Sequence, residues 1–145
     1  MKRKAKILFI HKTAATEYKL LLGRRISSNE SFWWIPGGSV EAGESDFEAG
    51  LRELDEELFL TNDFVQVLNT FKSTGTTPAV IEYESKQAKN SIFLVPMIYP
   101  SLIAVPSIKD EFEEMAWFDL DNLPQNMSRE FYFIEQQLQT EIRQL

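Results

Sequence analysis

The sequence predicts a domain of the α/β (α+β) class, a mixed β-sheet covered by helices. Three observations carry this expectation: strand-length apolar runs recur through the chain, one segment from Ser45 switches to a helical period, and a second helical stripe closes the chain. In order, "KILFIHK" and "YKLLLGRR" flank the polar "TAATE" and read as a hairpin of two strands. "FWWIP" is a brief aromatic strand that the flexible Gly37 and Gly38 bring to an end. From Ser45, the residues Phe47, Leu51, Leu54 and Leu58 recur every three or four positions, and Ser45 with Glu48 fits a capping box, so a helix begins at that serine. "FVQVLNTFK" alternates like a half-buried strand, "AVIEYE" and the deeper "NSIFLVPMIY" suggest two more around the loop "SKQAKN", and Pro96 points to an edge or a bulge. "EMAWFDL" is a last short strand and "DNLP" a turn, after which Phe131, Ile134, Leu138, Ile142 and Leu145 form the stripe of a C-terminal helix.

At 145 residues the chain has the length of one domain, and 43% hydrophobic content with eleven Phe and three Trp suffices for a core. Without cysteine there is no disulfide framework, thiolate zinc site or thiol nucleophile, which suits a cytoplasmic location. The apolar run at residues 7–10 is too short for a signal peptide, and no segment approaches the roughly 20 apolar residues of a membrane span. A formal charge of -7 argues against unspecific attraction to nucleic acid or an anionic membrane. A polyanionic substrate would therefore need a local cation.

The stretch "LRELDEELFL" crowds Glu53, Asp55, Glu56 and Glu57 beside Arg52. At helical spacing Glu53, Glu56 and Glu57 share one side, opposite Leu51, Leu54 and Leu58, and Arg52 can pair with Glu56 four residues on. Taken alone, such a face is ordinarily solvated surface. The spacing around it says more. Gly38, Glu44, Arg52, Glu53, Leu54, Glu56, Glu57 and Leu60 stand at the intervals of the Nudix box, and the segment resembles that signature of Nudix hydrolases over residues 38–60. At about 6% usage for each of the six Gly, Arg and Glu positions, a chance fit is on the order of 10⁻⁷ per start point. "FWWIPGG" before the box and "EFEEMAWFDLDNLP" after it are similar to the family's flanks, so the resemblance covers residues 1–145 as a single Nudix domain.

The resemblance implies a Nudix-like α/β/α sandwich with a mixed central sheet, a box helix and a C-terminal helix. It implies that Glu53, Glu56 and Glu57, with the backbone of Gly37 or Gly38, bind Mg²⁺ (Mn²⁺ is possible), a hard cation that prefers oxygen ligands. Arg52 would orient these glutamates and Glu44 would stand behind them. The water's proton would pass to Glu53 or Glu56, with Glu113 or Glu114 as the acid outside the box. Trp33, Trp34, Phe32 and Tyr83 are candidates to stack on a base, although aromatics in short strands are more often core, and strand alternation sends Trp33 and Trp34 to opposite faces. Arg24 and Arg25 are candidates for phosphates. Lys2, Arg3, Lys4 and Lys6 read as a solvated tail and strand start, and His11 as structural.

The function expected is Mg²⁺-dependent hydrolysis of a diphosphate bond in a nucleoside diphosphate derivative, first of all a nucleoside triphosphate or related nucleotide. The partner is then a small-molecule nucleotide, without nucleic acid or membrane, and the protein is a monomer or homodimer. The alternative is a non-catalytic nucleotide-sensing module, against which stands the full set of box glutamates. An isoprenoid diphosphate isomerase would need a cysteine. One box position departs from the pattern: Phe59 stands where the family usually has glycine, so the helix is expected to close differently, running on toward Asn62.

Overall fold

The computed structural model describes residues 1–14, 16–99 and 102–145. Strands β1 (Lys2–Ala14) and β2 (Glu17–Ser27) form the expected hairpin, β3 (Glu30–Trp34) returns along β2, and β4 (Gly37–Ser39) lies back on β1. Helix α1 (Asp46–Glu57) follows, then β5 (Leu58–Phe59), helix α2 (Asn62–Thr74), the hairpin of β6 (Ala79–Glu84) and β7 (Ala88–Met97), β8 (Ser107–Ile108), β9 (Glu114–Asp119) and helix α3 (Phe131–Arg143). The main sheet runs β3-β2-β1-β7-β6, with β4 attached to β1 and β9 to β2. It is mixed, because β1 and β7 are parallel while its other strand pairs are antiparallel. No helix among the described residues is long and apolar enough to cross a membrane.

Helices cover both faces of the sheet, which explains why β1 reads as an unbroken apolar run. On one face Ala5, Ile7 and Phe9 pack with Phe47 and Leu54 of α1 and with Phe64 and Leu68 of α2. On the other, Leu8 and Ile10 pack with Ile134, Leu138 and Ile142 of α3. The result is the α/β/α layering. Helix α1 starts as its sequence dictates: Glu48 N–H donates to Ser45 Oγ and Ser45 N–H to Glu48 Oε1, each at 3.2 Å.

Two elements differ from expectation. The segment read as a strand, "FVQVLNTFK", is helix α2, because Phe64, Val67, Leu68 and Phe71 also recur at helical spacing, and this stripe has the face of α1 and β7 to pack on. Gly75 then closes it in the left-handed conformation at φ 67. The box helix does not run on toward Asn62. It stops at Glu57, and Leu58 is extended at φ -135 and ψ 150. Leu58 and Phe59 pair as β5 with Ile108 and Ser107 of β8, so a strand bond replaces the left-handed turn and no glycine is needed. Pro96 sits where β6 has already ended: their pairing reaches no further than Ala79 and Leu94, so on that side the proline faces a free edge, as its missing N–H requires.

Phe59→Gly is therefore expected to destabilise the fold by roughly 0.5–1 kcal/mol, the usual cost of glycine in a regular element. Urea unfolding measures it, and a gain in stability would show that the helix exit prefers a left-handed residue after all.

Candidate active site

The cleft arises from an exchange of partners along two strands. In β1, Lys4, Ala5 and Lys6 pair with β4, whereas Ile10 and the residues after it pair with β2. Between them, Ile7 N–H donates to the Pro36 carbonyl at 3.0 Å. β2 likewise leaves β1 after Leu20 and takes up β3 from Gly23. Where the strands diverge a cleft of about 440 Å³ opens, lined by Lys4, Lys6, Arg25, Phe32, Trp34, Gly37, Gly38, Glu53, Glu111, Ser128 and Glu130 among others.

Helix α1 lays its acidic side on this cleft, because its apolar side is held by the core. Arg52 ties the box together: it donates to Glu44 at 2.7 and 3.1 Å, to Glu53 at 3.1 Å, to Glu56 at 3.2 Å and to the Ser39 carbonyl at 2.9 Å. The Arg52 hydrogen bond holds the Glu44 carboxyl below its ordinary pKa. Arg25 forms a second bridge, to Glu57 at 2.9 Å and Glu111 at 2.7 Å, with its guanidinium 4.7 Å from the Phe112 ring centroid. Glu57 is nearly sealed, its side chain 2% exposed. Burial, followed by the neighbouring Glu111, pushes its carboxyl up to about 8 against the pull of Arg25. Burial also raises Glu53, with Arg52 opposing.

Among the sequence candidates, Glu53, Gly38, Trp34 and Arg25 line the cleft, and Glu57 stands behind Arg25. Glu56 is tied by Arg52 with a side chain 57% exposed. Of the two neighbouring tryptophans, Trp34 lines the cleft while Trp33 does not, its ring centroid lying 4.7 Å from that of Phe118, and both count among the buried residues of the α3-side cluster. Arg24 turns to Glu114 at 3.3 Å, and Glu113 N–H donates to the Arg24 carbonyl, so none of the three lines the cleft. Tyr83 stands outside too, its hydroxyl donating to Glu130 Oε1 at 2.8 Å.

Among the cleft residues that the sequence reading does not place there are Glu111, Glu130, Lys6 and Lys4. Glu111 is the acid of the run 111–114 that reaches the cleft, two residues ahead of Glu113 and at φ 72. Glu130, at the start of α3, faces it across from the box. Lys6 is not a solvated tail residue, because it is buried in β1 with a pKa lowered by that burial. Its signal was available: a cation at alternate spacing with Leu8 and Ile10 lies on an inward face.

The expected convergence of Glu53, Glu56 and Glu57 is not present as such. Among the described residues no three carboxylates meet closely enough to hold an ion as they stand, since Arg52 engages Glu53 and Glu56 while Arg25 engages Glu57. The donor set nevertheless fits a hard divalent cation, being oxygen throughout. Among the described residues Glu57 Oε1 is buried without a hydrogen-bond partner. A Cβ on Gly38 would collide with the Glu53 carboxylate, 2.6 Å from both oxygens, so the bare backbone forms a cradle against it.

The NUDIX domain model matches residues 2–137 of this chain. The chain belongs to the Nudix hydrolase family. This Nudix chain is 26% identical over 115 residues to the RNA pyrophosphohydrolase of Pelagibacter ubique, a match covering 72% of the chain and 70% of the relative. It is 30% identical over 105 residues to the ADP-ribose pyrophosphatase of Methanocaldococcus jannaschii, covering 72% and 56%. The match to Nudix hydrolase 10 of Arabidopsis thaliana, 30% identical over 90 residues, takes in 62% of the chain but only 29% of that longer protein. Among solved structures, the Nudix hydrolase RenU of M. smegmatis superposes with a TM-score of 0.75 at 16% identity, covering 99% of this chain and 86% of the other. The C. elegans Ap4A hydrolase superposes with 0.67 at 17% identity over all of both chains. At those identities the structures establish the shared fold.

The raised pKa of Glu57 has a definite sign for stability. The folded protein keeps this proton between pH 4.5, the ordinary value, and about 8, while the unfolded chain releases it, so the contribution is full below 4.5 and lost as pH rises to about 8. Thermal melts in a chelator should show the melting temperature of Glu57→Gln gaining on that of the parent between pH 5 and 8; parallel curves would contradict the raised value.

Proposed function

We propose that this protein hydrolyses a diphosphate bond in a nucleotide derivative, with Mg²⁺ as its metal and Mn²⁺ as a substitute. The observation that carries the reading is the Glu53 carboxylate held against the bare Gly38 backbone in the box cleft, with a Glu57 oxygen buried and unpartnered among the described residues behind Arg25. Glu53, Glu56 and Glu57, with the backbone at Gly38, would hold the ion. When bound, such an ion offsets charge on the diphosphate oxygens and acidifies a water. Arg52 keeps Glu53 and Glu56 oriented through its bonds to Glu44 and the Ser39 carbonyl. Glu53 is the favoured proton acceptor over Glu56: it lines the cleft, and burial lifts its pKa toward the range where a carboxylate takes a proton readily. Glu111 replaces Glu113 as the acid outside the box, acting through Arg25 on Glu57. Trp34 and Phe32 supply the aromatic wall for a base.

The relatives' names span an RNA pyrophosphohydrolase and an ADP-ribose pyrophosphatase, and a structural neighbour is an Ap4A hydrolase. What they share is a nucleotide diphosphate, and a nucleoside triphosphate is our first substrate for this chain. Incubation with Mg²⁺ and a panel of nucleoside triphosphates, nucleotide sugars, ADP-ribose and dinucleoside polyphosphates, with products identified by mass, tests it. Cleavage of a panel member is expected, with Glu53→Gln and Glu57→Gln each losing about 10²-fold or more in kcat. Metal binding with no cleavage of anything would favour the nucleotide-sensing alternative, and full turnover in both variants would remove the site assignment.

A further inference from the structure

Arginines in and around the cleft are committed: Arg25 to Glu57 and Glu111, Arg52 to the box, and Arg24 outward to Glu114. Lys6 differs. It is 7% exposed, yet no carboxylate among the described residues lies within 4 Å of its ammonium and no hydrogen bond holds it. Glu57 Oε1 and Trp34 Nε1 are sealed polar atoms without partners, whereas the Lys6 ammonium is not among the sealed ones and so keeps access to the cleft that the residue lines. A cation buried without a counter-ion is costly in a fold, and burial does lower this lysine's pKa. The groups acting on it are Glu130 and Glu57, which favour its charge, and Lys4 and Arg25, which oppose it. Gly37 is what lets it lie here, since a Cβ at that position would come within 2.6 Å of Lys6 Cα and 2.8 Å of Lys6 Cγ.

We propose that Lys6 is the substrate-binding cation of the cleft, its ammonium receiving a phosphate of a nucleoside diphosphate or longer polyphosphate between the box glutamates and the aromatic wall. Lys4, two residues back on the same side of β1, lines the same cleft and supports the anion from its mouth. The inference rests on the nucleotide-hydrolase reading for its substrate class, but its anion site is tested apart from turnover.

The probe is inorganic pyrophosphate, titrated by calorimetry into the parent, Lys6→Met, Lys6→Arg and, as a control of equal charge, the exposed Lys2→Met. Lys6→Met should weaken binding about tenfold or more, the scale of one charge-assisted hydrogen bond, while Lys6→Arg recovers part of it and Lys2→Met leaves it unchanged. A thermal melt of Lys6→Met no lower than the parent's excludes misfolding as the cause. Should Lys6→Met fail to fold, the partial loss in Lys6→Arg and its dependence on salt serve as the reading. Equal binding by parent and Lys6→Met, equal losses in Lys6→Met and Lys2→Met, or a parent that ignores pyrophosphate would each overturn the proposal. Pyrophosphate bound through Lys6 with no nucleotide cleaved would leave the anion site standing and end the hydrolase reading.

Discussion

Everything at the cleft depends on the divided pairing of β1. A strand can bond to only one neighbour per edge at a given residue, and on this edge β1 gives residues 4–6 to β4 and those from Ile10 to β2. The bond from Ile7 to Pro36 spans the changeover. A fully zipped hairpin would have closed the space with backbone. The split instead leaves a hollow whose floor is rigid sheet, buried on both faces, and whose walls come from β3, β4 and α1. That rigidity matters because charged groups in a cleft act strongly only where neither they nor the backbone can relax away from one another.

The site holds more charge than its burial favours. Glu57 is sealed beside Glu111, Lys6 is buried with no carboxylate within 4 Å of its ammonium among the described residues, and two arginines are distributed so that each spans two or more carboxylates. Removing charge from water costs free energy that only well-placed partners return. Here the return is incomplete within the protein alone, on the acidic side at Glu57 Oε1 and on the basic side at Lys6. The two deficits have opposite sign: Lys6 lines the cleft and Glu57 stands behind Arg25 at its edge, the pattern that a cation and an anion bound together would complete.

Much of this was legible in the sequence because the relevant signals are local. The capping box, the apolar stripes of α1 and α3 and the spacing of Arg52 to its glutamates all act within one or two helical turns. The α2 segment satisfies two periods, a strand's alternation through Val65, Gln66 and Val67 and a helix's stripe through Phe64, Val67, Leu68 and Phe71, and only the neighbouring elements decide between them. The cleft residues were harder. Glu111, Glu113 and Glu114 are equivalent in composition, and the positive φ at Glu111 with the pairing of β9 selects which one turns inward. For Lys6, charge near the chain start suggests solvent, whereas its alternation with the buried Leu8 and Ile10 is the stronger fact.

The short pairing of β5 with β8 does more than end a helix. Lys109 N–H donates to the Glu57 carbonyl at 2.8 Å, and the Lys109 ammonium reaches the Asp55 carbonyl at 2.6 Å, so the strand that leads to Glu111 is clasped to the last turn of α1. Two acids far apart in the chain are thereby mounted on one support. Their spacing is set by backbone rather than by their own side chains, and Phe59 joins that clasp without carrying any charge itself, paired with Ser107 and with its ring centroid 4.9 Å from the Lys109 ammonium.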